Sequence, residues 1–286
     1  MVHDTLSAFP RRFVFHGNAV AASVFLTKIG NVAKTVINPV TGQSSLPVIG
    51  GESVSEIPQP QILAELADVF SYGASRTHAR GAFEGDFAVT TVDASVSDVR
   101  VTNRPGPEQP GDRRPVEFRA RELSLSMRSR HPSEGQPAVE FAQRPQFVGL
   151  SLDGQSIEPQ LNDDLMRLTR WQDLENEYRT NRKFFESCSF AQDSAKAPVA
   201  FGQPVPYTAG SYALASFVRS IRLGNVEIPG HQLAVRGFGV IYFGEILLND
   251  RERRVTMVRV QLGCDNEGQG VFGETDPNGT YIPPRT

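Results

Sequence analysis

The chain has 286 residues, 29 basic and 32 acidic, with a formal net charge of -3. A chain of this length buries roughly three quarters of the surface that its unfolded form exposes, so a core of apolar side chains needs neither disulfides nor metal to hold it. The near balance of charge, without long runs of one sign, excludes the footprint of a nucleic-acid-binding protein and a polybasic membrane anchor.

Cys188 and Cys264 lie far apart with no CxxC, which reads as two small, buried, reduced thiols. The amino terminus lacks the charged-then-apolar pattern of a signal peptide, and no apolar run approaches the length of a membrane helix. A cytoplasmic protein without a membrane span is therefore expected. Phe supplies 18 side chains, large core-forming groups with no polar atom to satisfy, and 25 Gly with 20 Pro fit many short strands joined by turns.

From Arg12 to Leu26 the pattern predicts a strand pair or one long bent strand, with Gly17 and Asn18 as a bulge. Asn38 to Gln61, interrupted by Pro39, Gly42, Pro47, Gly50, Gly51, Pro58 and Pro60, predicts a long loop with one short strand near Val48. Ile62 to Phe70 predicts a single short helix. Between Phe83 and Thr102, and again between Val116 and Met127, a strict alternation of apolar residues changes phase. Such slips predict bulges in a curved, partly closed sheet. The segments from Asn103 to Pro115 and from His131 to Pro145 read as exposed connections.

One long amphipathic helix is expected over about 161–186, because Leu161, Leu165, Leu168, Trp171, Leu174, Tyr178 and Phe185 recur at helical spacing behind Asn162, Asp163 and Asp164. After a broken stretch from Ala197 to Gly210, strands are expected at Tyr212 to Leu223, Gln232 to Leu248 and Arg254 to Gly263. Asn249 to Arg253 is the clearest hairpin loop. The tail from Asp276 to Thr286 reads as irregular. The fold that follows is an antiparallel β-barrel or β-sandwich, with the long helix packed on or capping the sheet. It forms a single domain over 1–286, with possible halves 1–160 and 187–286 sharing one core.

No nucleotide-binding loop, zinc-protease helix or nucleophile elbow is present. Gly237-Phe238-Gly239 lacks a third glycine and runs into a strand, so its glycines mark close packing. His3, His16, His78, His131 and His231 show no ligand spacing, so no metal is expected, and no cofactor motif appears. His16 ends an apolar alternation beside Gly17, a place for a proton-transfer imidazole or a hydrogen-bonded structural one. Glu245 shares a parity with Ile241, Phe243 and Leu247, so it either acts as a desolvated acid or base or pairs across the hairpin with Arg254 or Arg259. Arg76, His78 and Arg80 alternate as a cationic face or a solvated strand edge. Arg259, Trp171 and Tyr242 are the candidate ligand contacts, with Trp171 also placed for a core role.

The expected function is a non-enzymatic binding or self-assembling protein whose partner is itself or a small apolar ligand. The alternative is a cofactor-independent isomerase, cyclase or hydratase, in which an apolar barrel cavity holds the substrate and Glu245 or His16 moves a proton.

Overall fold

A computed structural model describes residues 13–104, 114–132, 140–187, 213–248 and 252–282. In chain order the strands are β1 (Phe13–Ile29), β2 (Val32–Ile37), β3 (Thr41–Ser45), β4 (Gly51–Ile57), β5 (Phe70–Ser71), β6 (Ser75–Glu84), β7 (Phe87–Asn103), β8 (Val116–Pro132), β9 (Glu140–Val148), β10 (Leu150–Leu152), β11 (Gln155–Leu161), β12 (Ala213–Ser216), β13 (Val218–Leu223), β14 (Val226–Pro229), β15 (Gln232–Val235), β16 (Gly239–Leu248), β17 (Arg253–Gly263) and β18 (Glu267–Tyr281). The helices are α1 (Ala64–Ala67), α2 (Asp163–Arg167), α3 (Trp171–Thr180) and α4 (Arg182–Ser187).

The strands form two antiparallel sheets. The first runs β12-β16-β17-β18-β1-β2, with β15 on β16 and β3 on β1. The second runs β14-β13-β11-β10-β8-β7-β6-β4, with β5 on β7 and β9 on β8. Among the described residues the end strands of each sheet pair on one side only, so the expected barrel is not closed. The sheets face each other across one apolar layer, where Phe118 of β8 and Phe243 of β16 meet edge to face at 6.3 Å between ring centres. Six phenylalanines, Phe70, Phe118, Phe217, Phe238, Phe243 and Phe272, are wholly buried, as expected of side chains with no polar atom to satisfy.

Both sheets carry a transverse line along which the strands turn over. On β16 the core side chains are Ile241 and Phe243, then Ile246 and Leu248, an odd step in a period of two. Gly244 sits at the step with φ +62°. The flanking register places Gly244 opposite Met257 of β17, Met257 opposite Gly273 of β18, Gly273 opposite Ala21 of β1, and Ala21 opposite Gly42 of β3. Gly273 and Gly42 also have left-handed backbones, at φ +67° and +61°. On β17 the core face passes from Val255 and Met257 to Val258 and Val260, and on β1 from Ala19 and Ala21 to Ala22 and Val24.

The second sheet repeats the device along Gly149, Arg121, Asp98 and Gly73, with Gly149 at φ +63° and Asp98 at +50°. Two of the phase slips seen in the sequence, from Val96 to Val99 and from Ala120 to Leu123, fall on this line, whereas from Ala88 to Val96 the buried face is unchanged. They are not bulges in the expected sense, because a bulge adds an unpaired residue and shifts the register. Here Ser97 still pairs with Glu122 and Val99 with Ala120. A left-handed residue on alternate strands reverses the faces while the ladder continues.

The expected long helix is not formed. α2, α3 and α4 replace it, separated by extended backbone at Leu168 (ψ 92°), Arg170 (ψ 148°) and Asn181 (ψ 100°). The helical spacing is real, but backbone groups in the first gap are committed to strands: Phe141 N donates to Thr169 O (2.8 Å), and Arg253 Nη2 donates to Leu168 O (2.9 Å). Asn162 and Asn181 accept from Leu165 N and Phe184 N through their side chains, each at 3.1 Å, and so begin new helices. Arg253 is nearly inaccessible, with its guanidinium 5.1 Å from the Phe141 ring centre, and burial pulls its pKa down to about 10.

Three further expectations change. The stretch from Asn38 to Gln61 contains β3 and β4, since its glycines and prolines sit at the strand ends and at the reversal line. The tail from Asp276 is strand as far as Tyr281, paired with β1 from Phe13 onward, and β17 pairing is over by Thr275, so Pro277 interrupts no ladder on that side. Gly17 and Asn18 lie in continuous register, and the irregularity in β1 falls between Leu26 and Lys28. The short helix expected at Ile62 to Phe70 is the single turn α1. Cys188, the segment at 197–210, the loop at 249–251 and most of the connection at 103–115 lie outside the described residues, as do 133–139. The rest of the connection expected from His131 to Pro145 is strand, with His131 and Pro132 closing β8 and Glu140 to Pro145 opening β9, where Phe141 is buried.

Candidate functional site

The turnover at Gly244 decides where Glu245 points. Its neighbour Ile246 takes the core position, so Glu245 joins Tyr242 on the outer face of the first sheet rather than Ile241 and Phe243 on the inner one. There it meets Arg259 in a two-pronged pair: Nε donates to Oε2 and Nη2 to Oε1, each at 2.7 Å. This is the cross-strand pairing expected from the hairpin, with Arg259 as the partner. The guanidinium also lies 3.7 Å from the centre of the Tyr242 ring. Burial works against the Arg259 charge, and the hydrogen bonds and charge of Glu245 more than offset it, so its pKa is raised.

His231 is buried beside this group, with its ring centre 6.3 Å from that of Tyr242. Its Nε2 has no hydrogen-bond partner among the described residues. Burial, with a smaller contribution from Arg259, lowers its pKa against the opposing pull of Glu245. Burial thus disfavours the charged imidazole. Its place was not legible in the sequence, where it follows Pro229-Gly230 outside any alternation.

His16 lies on the same outer face, in a separate group. Asn18 Nδ2 donates to His16 Nε2 (2.6 Å), and Ser45 Oγ donates to Asn18 Oδ1 (2.7 Å). Across the strand, Asn278 donates to Asp276, and Arg254 Nη2 stands 3.6 Å from Asp276 Oδ2. Desolvation raises the Asp276 pKa against the attraction of His16 and Arg254. Asp276 and Asn278 escaped the sequence reading because their segment read as irregular tail. His16 and Glu245 are not brought together: the first belongs with Asp276, the second with Arg259.

Trp171 opens α3 and packs into the main core, so it is apart from Tyr242 and Arg259. On the second sheet, Arg76 pairs with Glu56 (3.0 Å), and His78 stands between Glu52 (2.8 Å) and Asp93 (3.1 Å). The Arg76–His78 face is therefore threaded with carboxylates rather than purely cationic. Among the described residues no three His, Cys, Asp or Glu side chains gather as a metal site would require.

The other conspicuous surface is an edge. β2 and β3 lie in succession along β1 at one border of the first sheet, and the chain then crosses to become β4, the border of the second. Among the described residues, seven of the ten exposed large apolar side chains fall between Val32 and Leu63. Ile49 is 85% exposed, Ile37 66% and Val48 62%. No helix among the described residues is long and apolar enough to cross a membrane.

No curated protein and no solved structure matches the chain. The family described as Domain of unknown function (DUF8256) matches residues 13–249, and the chain belongs to that family.

Proposed function

We propose that this is a non-enzymatic interaction protein that assembles with copies of itself through the border formed by β2, β3 and β4. The observation that carries this reading is the concentration of exposed aliphatic side chains along a free strand edge. An unpaired edge offers a ladder of backbone donors and acceptors, and soluble proteins ordinarily blunt such edges with lysine, proline or a covering loop. β4 contains neither lysine nor proline, and the single lysine of β2, Lys34, is turned to Glu65 (3.5 Å). Val48, Ile49 and Val54 add apolar area beside the ladder, the combination that self-pairing of strands requires. The proton-transfer alternative draws no support from Glu245, because both of its oxygens are taken by Arg259.

The test is native mass spectrometry with light scattering on the full chain, comparing wild type with Ile49→Asp/Val54→Lys. A homo-oligomer that the double variant dissociates supports the reading. A wild-type monomer at tens of micromolar, or an oligomer indifferent to the variant, overturns it.

A further inference from the structure

A cleft of about 550 Å³ crosses the outer face of the second sheet over β6, β7, β8 and β9. Its form follows from side-chain size. Register places His78, Asp93, Ser126 and Arg144 in one cross-strand row, and Arg76, Ser95, Ser124 and Gln146 in the next. The two central strands therefore present short side chains, Ser95, Ser124, Ser126 and the carboxylate Asp93, and the flanking strands present long ones. Serines make the floor, with Arg76 and His78 on one wall and Arg144 and Gln146 on the other. At ~4.8 Å per strand and ~3.3 Å per residue, the two arginines stand about 16 Å apart at the backbone, on diagonal corners of the cleft.

The charges in this cleft are unequally committed. His78 Nδ1 meets Asp93 Oδ2 at 3.1 Å and its Nε2 meets Glu52 at 2.8 Å, so the one carboxylate lining the cleft already has a partner. Arg76 is held only by Glu56 on the outermost strand, through side chains that are 66% and 64% exposed, a kind of pair that contributes little. The Arg144 side chain forms no ion pair or hydrogen bond among the described residues, and the hydroxyl of Ser126, directly across from it, forms none there either. A planar guanidinium beside a free hydroxyl donor suits the oxygens of a carboxylate or phosphate. The lining contains no Phe, Tyr or Trp, the rings on which a neutral sugar ordinarily stacks.

We propose that this cleft binds a small oxyanion-bearing molecule, a carboxylate or a phosphate, gripped by Arg144 and Ser126 and steadied by Arg76 across the serine floor. Arg144 and Ser126 lie on β9 and β8, away from the β2–β4 border, and binding there does not rest on the assembly assigned to that border.

Isothermal titration calorimetry on the full chain at low ionic strength tests this, with citrate, inorganic phosphate and glucose as probes. Citrate and phosphate separate the two anion chemistries, and glucose is the neutral control. The expected result is saturable binding of one anion, weakened at least tenfold by Arg144→Gln and abolished by Ser126→Phe, which fills the floor. Arg254→Gln, on the other sheet, leaves it unchanged. Each variant is on the surface, and its melting curve verifies folding. No saturable binding of either anion at millimolar concentration, equal binding of glucose, or binding insensitive to Arg144→Gln overturns the proposal.

Discussion

Glu245 and Arg259 lie on opposite sides of the line on which the first sheet turns over, and their paired hydrogen bonds span it. Arg259 is directly across from Tyr242, and Glu245 is three residues further along the same strand. In an unbroken strand that odd separation would send Glu245 into the core and leave Arg259 outside. The left-handed backbone of Gly244 brings both to one face.

Breaking this pair one partner at a time should cost more than removing both. Arg259→Met leaves a carboxylate that is 7% exposed without its guanidinium, and should destabilise the fold by about 2–4 kcal/mol. Glu245→Gln together with Arg259→Met should cost less than the sum of the single changes, with a coupling of about 1–3 kcal/mol. Urea unfolding of the four proteins of the cycle measures this. Strict additivity would mean that the pair is energetically inert.

Gly244 should tolerate no side chain. A Cβ there would lie 2.6 Å from the ring of Phe217, which is itself fully buried, and the backbone is left-handed. Gly244→Ala should lose about 2–4 kcal/mol, from the conformational cost and the clash together. Gly30 has a similar φ, +55°, with nothing within 4 Å of the same construction, so Gly30→Ala should lose only about 1 kcal/mol. Thermal unfolding of the two variants distinguishes strain from crowding, and equal losses would show that the Phe217 contact does not matter.

His131 should make the protein acid-sensitive. It is buried with its ring 5.1 Å from that of Phe13, Nε2 has no partner among the described residues, and desolvation lowers its pKa from 6.5 to about 4. Between these values the unfolded chain binds the proton and the folded chain does not. Its contribution to stability is therefore intact above pH 6.5, declines as pH falls below that value, and levels off below about pH 4. The loss is roughly 3 kcal/mol in all. Urea midpoints at pH 7.5, 5.5 and 4.5 should fall less steeply for His131→Leu than for wild type, and parallel curves would contradict the assignment.

The sequence by itself determined the class of structure and the chemistry of its interior. Alternation in β1, β7, β8, β16 and β17 was strong enough to locate strands, and 18 phenylalanines named a dry core. The hairpin between Gln232–Leu248 and Arg254–Gly263 was legible, and with it a pairing of Glu245 with Arg254 or Arg259, because antiparallel register is local; the structure selects Arg259. The signal for the turnover was also present as adjacent apolar residues, Ala21-Ala22 and Met257-Val258, where a period of two should not produce them.

Tertiary structure alone decided which face each side chain took. Parity reads a strand as if every φ were negative, so one left-handed residue reverses everything after it. Whether Gly244, Gly42 or Asp98 adopts that backbone depends on its neighbours across the ladder rather than along the chain. The same holds for the helix expected over 161–186, whose spacing satisfied a helix while Thr169 and Leu168 gave their carbonyls to Phe141 and Arg253. Local pattern selects what a segment prefers in isolation. Backbone hydrogen bonds to distant strands and the packing of the two sheets settled what it became.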